Sequence, residues 1–414
     1  MNSIEKLVEE LCPEGVEFRS IESLVSRISN IRWADFPESE FRYIDLSSVD
    51  RVTHAIGETL PITEEDAPSR AQQIVKKNDV IFGTTRPMLK RYAMIPDELD
   101  GQICSTGFCV LRPNEQIIPS FLFHLLGTDA FYGHVEANER GASYPAISDN
   151  MVKKFRVPVP PLEIQNKIVN ILDSFIELEA ELEAELEARR RQYAYYRDAL
   201  LLRSRNSKVY GFKDVPFREI QELFFVRNGY TPSTSNQAYW SGGTIPWFRM
   251  EDIRENGRIL DDSLQKITRD AIKGGRLFSA NSIIVATSAT IGEHALIKVP
   301  HLSNQRFTSL VLRPEFSKVV DMKYIFYYCF LLGDWCRNNV TKSSFATVDM
   351  NGFRTFKIPI PPLVEQNRIA AILDQFDALV NDLSIGLPAE IRARRQQYEY
   401  YRNRLLTFRE AAQL

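Results

Sequence analysis

The residue types that perform catalysis are present in this chain, but they do not stand at catalytic spacings. The five histidines show no H-E-x-x-H or other metal-ligand spacing, and the five cysteines form no C-x-x-C pair. No G-x-x-x-x-G-K-[ST] loop for ATP phosphates occurs, and no [ND]-P-P-[YF] motif for amino methylation. The Pro-Pro pairs that begin at Pro160 and Pro361 follow Val and Ile and precede Leu. The sequence therefore predicts no metal, no cofactor and no active site.

Basic and polar side chains instead gather in Gly-, Ser- and Thr-rich loops that follow β-type runs. Arg binds guanine bidentately, Ser and Thr bind bases or phosphates, and Lys more often binds phosphate, so such loops suit contact with DNA. Two equivalent pairs of loops qualify, 83–92 with 286–294 and 140–144 with 342–345. An ordinary solvated loop is the alternative for each candidate. The candidates are Thr84, Thr85, Arg86, Lys90, Arg91, Arg140, Ser143, Tyr144, Thr287, Ser288, Thr290, Lys342 and Ser343.

The length and charge of the chain indicate the kind of protein that must position these loops. With 414 residues, 44% of them hydrophobic and 25% charged, the chain predicts a soluble protein of two or more domains. The net charge of −3 conceals an asymmetry, because residues 1–155 carry 16 basic and 24 acidic side chains and residues 203–356 carry 21 and 14. The acidic N-terminal stretch lacks the features of a signal peptide or membrane anchor, which predicts a cytoplasmic protein with buried thiols.

An internal duplication settles the organisation of the chain. FRVPVPPLEIQNKIVNILDSF begins at Phe155 and FKIPIPPLVEQNRIAAILDQF begins at Phe356, 201 residues later. RRQYAYYRDALL and RQQYEYYRNRLL follow, with Tyr193 and Tyr398 now 205 apart, so the second copy has four additional residues. Weaker matches such as NDVIFGTT with NSIIVATS keep the same order. Short β-rich runs, Gly and Pro turns and a few helical windows then predict an α/β globule in each half.

Each proline segment predicts a stiff, extended lead into a long helix. The apolar residues of the two helices recur at spacings of four and three, with a last step of seven to the tyrosine. They are Ile171, Phe175, Leu178, Leu182, Leu186 and Tyr193 in the first copy, and Ile372, Phe376, Leu379, Leu383, Leu387, Ile391 and Tyr398 in the second. Gly386 and Pro388 interrupt the second pattern, and Pro388 suits a first helical turn. The simplest partner for each helix is its own duplicate, packed antiparallel about a pseudo-twofold axis. A solvated helix face is the ordinary alternative.

The sequence closely resembles the specificity subunit of type I restriction-modification systems over essentially its whole length. The resemblance is most specific in PVPPLEIQ from Pro158, PIPPLVEQ from Pro359 and the two RxQYxYYR helix ends. G-Y-T-P-S from Gly229 and Y-W-S-G-G-T-I-P-W from Tyr239 look like the start of a target-recognition domain. This segment adds Tyr230, Thr231, Ser233 and Arg249 to the candidate DNA contacts. In the first half, residues 27–49 stand in the place of this segment and show no clear counterpart of it.

The resemblance implies α/β target-recognition domains at 1–155 and 207–356, and helical spacers at 156–206 and 357–414 that form an antiparallel coiled coil. Each domain would bind one half of an asymmetric site in double-stranded DNA. The helices would set the gap and bind two methyltransferase subunits, and a motor-nuclease subunit would join them. The residues expected to contact partners are Pro160, Pro161, Gln165, Tyr193, Tyr196, Pro361, Pro362, Gln366, Tyr398 and Tyr401.

Two other classes of function remain open on the sequence. A self-contained methyltransferase or nuclease with an unrecognised active site would bind its cofactor as an isolated chain. A coiled-coil scaffold that joins proteins would protect no bases in a footprint, whereas a two-part DNA reader would protect two patches separated by a constant gap.

Overall fold

The computed structural model describes residues 2–203, 215–341, 346–381 and 386–412. The chain divides into two compact units, one made of Met1–Leu182 with Ile391–Leu414 and the other of Glu183–Glu390. We call these unit 1 and unit 2. Unit 1 contains the first globular half, the beginning of the long helix that follows it and the end of the last helix. Unit 2 contains the end of the first long helix, the second globular half and the beginning of the helical segment that follows it. The linear boundaries at 155, 206 and 356 remain predictions.

Unit 1 contains a four-stranded sheet ordered β2-β9-β6-β7, another ordered β4-β3-β8-β5, and the pair β1-β10. Its strands are β1 (Phe18–Ser20), β2 (Val25–Ser26), β3 (Phe41–Ile44), β4 (Leu60–Ile62), β5 (Ala71–Ile74), β6 (Val80–Gly83), β7 (Tyr92–Met94), β8 (Ile103–Ser105), β9 (Phe108–Pro113) and β10 (Arg156–Pro158). Its helices are α1 (Asn2–Leu11), α2 (Ile21–Leu24), α3 (Pro119–Leu125), α4 (Asp129–Asn138), α5 (Asp149–Lys154) and the first part of α6 (Leu162–Arg203).

Unit 2 contains a five-stranded sheet ordered β12-β19-β16-β17-β14, a sheet ordered β15-β13-β18, and the pairs β11-β22 and β20-β21. Its strands are β11 (Phe217–Glu219), β12 (Phe224–Asn228), β13 (Ile245–Phe248), β14 (Ile259–Leu260), β15 (Lys266–Ile267), β16 (Ser282–Ala286), β17 (His294–Ile297), β18 (Leu302–Ser303), β19 (Phe307–Leu312), β20 (Val340–Thr341), β21 (Thr347–Val348) and β22 (Lys357–Pro359). The helices that begin in it are α7 (Ile220–Leu223), α8 (Met250–Asn256), α9 (Met322–Asn338), α10 (Met350–Thr355), α11 (Leu363–Asn381) and α12 (Gly386–Leu405).

The duplication predicted from the sequence is confirmed in the strand pairing. β6 and β16 are buried along their whole length, as their uninterrupted apolar runs require, and each pairs antiparallel with the strands on both sides. Phe18 pairs with Pro158 in unit 1, and the equivalent Phe217 pairs with Pro359 in unit 2. The mixed α/β fold with two like halves is therefore confirmed.

The long helices pack as antiparallel pairs, as predicted. In unit 1 the ring of Phe175 on α6 stacks on Tyr401 of α12, with centroids 5.5 Å apart, and Glu179 forms an ion pair with Arg395. A later residue of α6 thus contacts an earlier residue of α12, so the two helices run antiparallel. The equivalent rings in unit 2, Phe376 and Tyr196, stack with centroids 6.5 Å apart.

The predicted apolar stripe is correct only in part. Leu178 is 45% exposed and its equivalent Leu379 is 53% exposed, so these two residues face outward in their units. The buried contacts of α6 begin earlier, where Ile164, Ile168 and Leu172 join the core of unit 1. Further along the same stripe Leu186 and Tyr193 are buried, so the exposure is local to Leu178 and Leu379.

The second helical segment begins at Gly386, and Pro388 is its third residue, as expected for proline in a first turn. Leu383 of the predicted stripe lies outside the described residues. No helix in the described ranges combines the length and apolar character needed to cross a membrane. Four cysteines are buried and Cys12 is half-buried, all as free thiols, and no cluster of potential metal ligands occurs in the same ranges.

Candidate nucleic-acid interface

Two of the predicted loops lie side by side in unit 1, one after β6 and the other before α5. Thr85 and Arg140 both form backbone bridges with Ala146, and the Arg86 N–H donates to the Pro145 carbonyl at 2.7 Å. The Arg86 guanidinium lies over the ring of Tyr144, 4.4 Å from its centroid, and this tyrosine is 71% exposed. The loops therefore present Arg86, Arg140 and Tyr144 on one exposed surface, as contact with a nucleic acid requires.

The loop after β16 in unit 2 repeats this arrangement. Ser288 bridges to Thr347, and the Val348 N–H donates to the Thr287 carbonyl at 3.0 Å. Arg86 and its equivalent Ala289 both adopt left-handed backbone conformations, with φ of 50° and 63°. Such a shared conformation is uncommon outside glycine and confirms that the two loops have the same geometry. Lys342 and Ser343 of the second predicted loop lie outside the described residues.

Two threonines among the candidates are buried, which corrects their predicted role. Thr84 is 7% exposed and its hydroxyl donates to the Gly107 carbonyl at 2.9 Å. Thr287 is also 7% exposed, and its hydroxyl lies 3.0 Å from that of Thr308. Each hydroxyl forms its hydrogen bond inside the unit, beneath its loop, so these two threonines stabilise the loops and do not face a ligand.

Lys90 and Arg91, the remaining basic candidates of the first loop, differ in their surroundings. The Lys90 ammonium lies over the ring of Tyr132, 4.8 Å from its centroid, while its backbone is left-handed with φ of 55°. Arg91 is half-buried, and burial together with the nearby Arg51 lowers the pKa of its guanidinium. Its Nε has no hydrogen-bond partner in the described structure. The carboxylate of Asp45 also lies near this guanidinium and partly offsets the effect of Arg51.

The G-Y-T-P-S segment of unit 2 is mostly occupied by contacts within the unit. The Tyr230 hydroxyl donates to the Ala271 carbonyl at 3.1 Å and accepts from the Lys273 N–H at 2.7 Å. Thr231 donates to the side chain of Gln305. The predicted contact through the Tyr230 hydroxyl is therefore corrected, because that group is already satisfied, whereas Ser233 is exposed.

Beside this segment a cavity of about 390 Å³ contains one predicted residue, Arg249. Its guanidinium lies 5.6 Å from the Trp247 ring centroid, and its Nε is 3.9 Å from a Glu251 carboxylate oxygen. Gln237 and Gln265 also line the cavity and were missed by the sequence analysis. The signal for Gln237 was its place two residues before the Y-W-S-G-G stretch. Arg and Gln together provide the bidentate donors and acceptors that distinguish guanine and adenine.

The two glutamines of the proline motifs hold the helices to the globular halves. Gln165 is fully buried; its carbonyl accepts from the Ile118 N–H at 2.9 Å and its amide donates to the carbonyls of Gln116 and Pro160. Gln366 is equally buried and makes the same three kinds of bond in unit 2, to Asp321, Val319 and Pro361. The prediction that these glutamines contact a partner is therefore corrected, since no polar group of either side chain is left for one.

The other predicted partner residues divide by exposure. Tyr193 and Tyr398 are buried, as are Pro160 and Pro361, whereas Pro161, Pro362 and Tyr196 are exposed and Tyr401 is half-buried. The sequence analysis missed a set of outward apolar residues that occurs twice at equivalent positions. The set is Leu162 and Leu363 (47% and 39% exposed), Leu178 and Leu379 (45% and 53%), and Tyr400 and Tyr195 (58% and 71%). The duplication itself was the available signal for it.

Comparison with known proteins defines the class. The model of the type I restriction modification DNA specificity domain matches residues 49–188 and 213–393, more than half of the chain. The chain therefore belongs to this family of DNA specificity domains. A solved structure from work on complex assembly and conformational transition of the type I R-M system resembles it with a TM-score of 0.62 and 27% identity, covering 95% of this chain and 97% of that chain.

Individual relatives narrow the comparison further. The chain is 54% identical over 204 residues to the type I restriction enzyme EcoprrI specificity subunit of Escherichia coli, which covers 48% of this chain and 51% of that protein. It is 38% identical over 278 residues to the EcoR124I/EcoR124II specificity subunit of Escherichia coli, with 63% and 65% covered. The matched region thus spans between half and two thirds of these relatives.

Proposed function

We propose that this chain is the DNA-recognition subunit of a type I restriction-modification complex and has no catalytic activity of its own. In this proposal each globular half binds one half of an asymmetric, two-part site in double-stranded DNA. The observation that carries it is the pair of equivalent loops after β6 and β16, which share a left-handed residue and differ in side chains. Equal geometry with unequal side chains suits two domains that bind DNA alike and select different bases.

The proposal assigns the helices two tasks, to set the unread gap and to bind two copies of a methyltransferase subunit. The outward apolar residues of the two helix pairs support the second task, because equivalent positions in both units offer the same surface to identical partners. Exposed leucines and tyrosines flanked by polar residues are typical of protein interfaces. A motor-nuclease subunit would complete the restriction enzyme.

The experiment that tests this function is a map of methylated adenines in cells that coexpress the chain with its methyltransferase subunit. We expect one two-part motif with different half-sites and a constant gap. A protein scaffold would leave methylation without any such motif. A self-contained methyltransferase would give the same map when the chain is expressed alone, which would refute the assignment of catalysis to a partner.

The length of α6 is expected to set the gap between the half-sites. Deleting residues 181–184, one of the three ELEA units of α6, shortens that helix by roughly 6 Å at 1.5 Å per residue. Because base pairs are about 3.4 Å apart, we expect the gap in the methylation motif to shorten by about one or two base pairs while both half-sites stay the same.

The matched control replaces residues 181–184 by four alanines, which keeps the helix length and should keep the gap. Altered half-site bases with an unchanged gap in the deletion variant would show that the helices do not set the spacing.

A further inference from the structure

Unit 2 contains an open cleft beside the edge strand β12 and the C-terminal end of its neighbour β19. The cleft has a volume of about 850 Å³ and is bordered by β12 and by residues 276–279. Four arginines line it, and we call it the arginine cleft. They are Arg227, Arg276, Arg313 and Arg354. No aspartate or glutamate is among the lining residues, so the cleft concentrates positive charge.

The arginines are not neutralised by their surroundings. None of the four forms an ion pair with a carboxylate in the described parts of the chain. The Arg313 guanidinium lies over the ring of Phe225, 4.3 Å from its centroid, and its Nε is buried without a hydrogen-bond partner. Arg227 lies 5.0 Å from the ring centroid of Phe278. An aromatic ring holds the plane of a guanidinium without using its N–H donors. The Arg313 Nη2 donates to the Gln221 carbonyl at 3.3 Å, so part of this guanidinium is already engaged, whereas Arg227, Arg276 and Arg354 are exposed.

The equivalent region of unit 1 places its arginine in a different environment. Arg112 of unit 1, the counterpart of Arg313, forms a bidentate ion pair with Asp79 at 2.8 and 2.9 Å. Unit 2 has Ser282 in the place of Asp79, which leaves Arg313 without that carboxylate. Asn78 and Asn281 are equivalent residues. The residue five positions earlier is the buried Gln73 in unit 1 and the exposed Arg276 in unit 2.

Unit 1 also closes the edge that unit 2 leaves open. The Ile74 N–H donates to the Ser29 carbonyl at 3.0 Å and the Ile31 N–H donates to the Gln72 carbonyl at 2.8 Å, so the β5 segment covers the chain that continues from β2. In unit 2 the corresponding segment, 276–279, stands across the cleft from β12. Unit 1 retains basic residues at two of the equivalent positions, Arg112 and Lys153, whereas the open cleft lined by four arginines lies in unit 2.

We propose that the arginine cleft binds phosphate groups of duplex DNA next to the half-site that unit 2 recognises. This inference rests on the proposed function. Arginine is suited to phosphate because its planar donors bind two oxygens at once. β12 leads directly from Arg227 into the loop at Gly229–Ser233, so the cleft begins where the candidate base contacts begin. Such contacts add affinity without selecting bases.

The test uses the full chain in complex with its methyltransferase subunits, and compares wild type with Arg276→Gln/Arg354→Gln. Both arginines are exposed, so the double variant should fold. Lys298→Gln is the matched control, because it removes an exposed cation at the opposite side of the same sheet, beyond β17. Binding to two duplexes is measured over a range of salt concentrations. One duplex contains the mapped site with long flanks, and the other ends at the outer base of the unit 2 half-site.

We expect the double variant to bind the long duplex roughly tenfold more weakly at moderate salt. The slope of log affinity against log salt concentration should fall by about 2, since each neutralised phosphate contributes roughly 0.9. Wild type should prefer the long duplex, the double variant should lose that preference, and the methylation motif should stay the same.

Affinity and salt dependence equal to those of Lys298→Gln would overturn the inference. Loss of a protein subunit from the complex with unchanged DNA affinity would also overturn it, and would indicate an acidic protein segment as the occupant. If wild type does not distinguish the site from a scrambled duplex, the proposed function itself fails, and that result is separate from either outcome for the cleft.

Discussion

Unit 1 and unit 2 have an aspartate at equivalent positions of their long helices, but different side chains donate hydrogen bonds to it. Asp173 on α6 accepts from the buried ring of His124 at 2.7 Å, while Asp374 on α11 accepts from the Tyr327 hydroxyl at 2.8 Å and the Lys323 ammonium at 2.5 Å. Burial lowers the pKa of His124, against the opposing effect of Asp173, and the other ring nitrogen, Nδ1, lies 2.9 Å from the Tyr398 hydroxyl. The duplication has therefore retained the acceptor and its position, and has allowed the donor to change.

A second difference separates the halves in function. Arg112 in unit 1 is neutralised by Asp79, whereas Arg313 in unit 2 lines the arginine cleft. One arginine in the same place of the duplicated sequence thus forms an ion pair in one unit and lines an open cleft in the other. The contrast indicates that the joints to the helices are constrained by packing, while the faces beside the sheets were free to diverge.

The largest effect on stability is expected where the units differ most. Asp79→Ser gives unit 1 the residue of unit 2 and leaves Arg112, whose side chain is 18% exposed, without its partner. Removing one member of such a buried pair costs about 3 kcal/mol, so the free energy of unfolding of unit 1 should fall by that amount. Hydrogen exchange in peptides from each unit, measured through a urea series, assigns the loss to unit 1.

Asp97→Ser is the control, because the ion pair of Asp97 with Lys77 is exposed. It should cost no more than about 0.5 kcal/mol. An Asp79→Ser variant as stable as this control would mean that Arg112 needs no neutralising partner, and the contrast between Arg112 and Arg313 would lose its energetic basis.

The next effect is a shared sensitivity to acid. Burial lowers the pKa of His294 to about 3 and of His301 to about 4 in unit 2, and lowers the pKa of His54 to about 4 in unit 1. The unfolded chain binds protons near pH 6.5 while the folded units do not, so stability falls as the pH drops from about 6.5 towards those values. Each histidine contributes at most roughly 1.4 kcal/mol per pH unit.

His294→Leu isolates one of these contributions, since the ring lies among Phe326 and Phe330 and leucine keeps an apolar group there. The free energy of unfolding of the variant relative to wild type should rise by about 1.4 kcal/mol between pH 7.5 and pH 5.5, because only wild type then protonates this residue on unfolding. If the difference in free energy of unfolding between variant and wild type were equal at pH 7.5 and pH 5.5, His294 would not be neutral in the folded unit.

The sequence was sufficient for features that repeat or depend on neighbouring residues. The duplication, the proline lead into each helix and the antiparallel pairing were all visible in it. The roles of Gln165, Tyr230 and Arg313 were not, because each is decided by residues far along the chain. Gln165 binds Ile118, Tyr230 binds Ala271, and Arg313 lacks the carboxylate that Arg112 finds in Asp79. Spacing cannot show which polar groups are satisfied until the fold brings their partners together.

The smallest effect tests how closely the two helix pairs match. The Phe175–Tyr401 stack of unit 1 is tighter than the Phe376–Tyr196 stack of unit 2, with centroids at 5.5 Å against 6.5 Å, and both of its rings are half-buried. A double-mutant cycle with leucine at both positions should give a coupling of about 1 kcal/mol in unit 1 and about 0.5 kcal/mol in unit 2. The exposed rings of unit 2 gain less from stacking because water already competes for their faces. Equal couplings would show that the two pairs are energetic duplicates and that the wider spacing in unit 2 carries no consequence for stability.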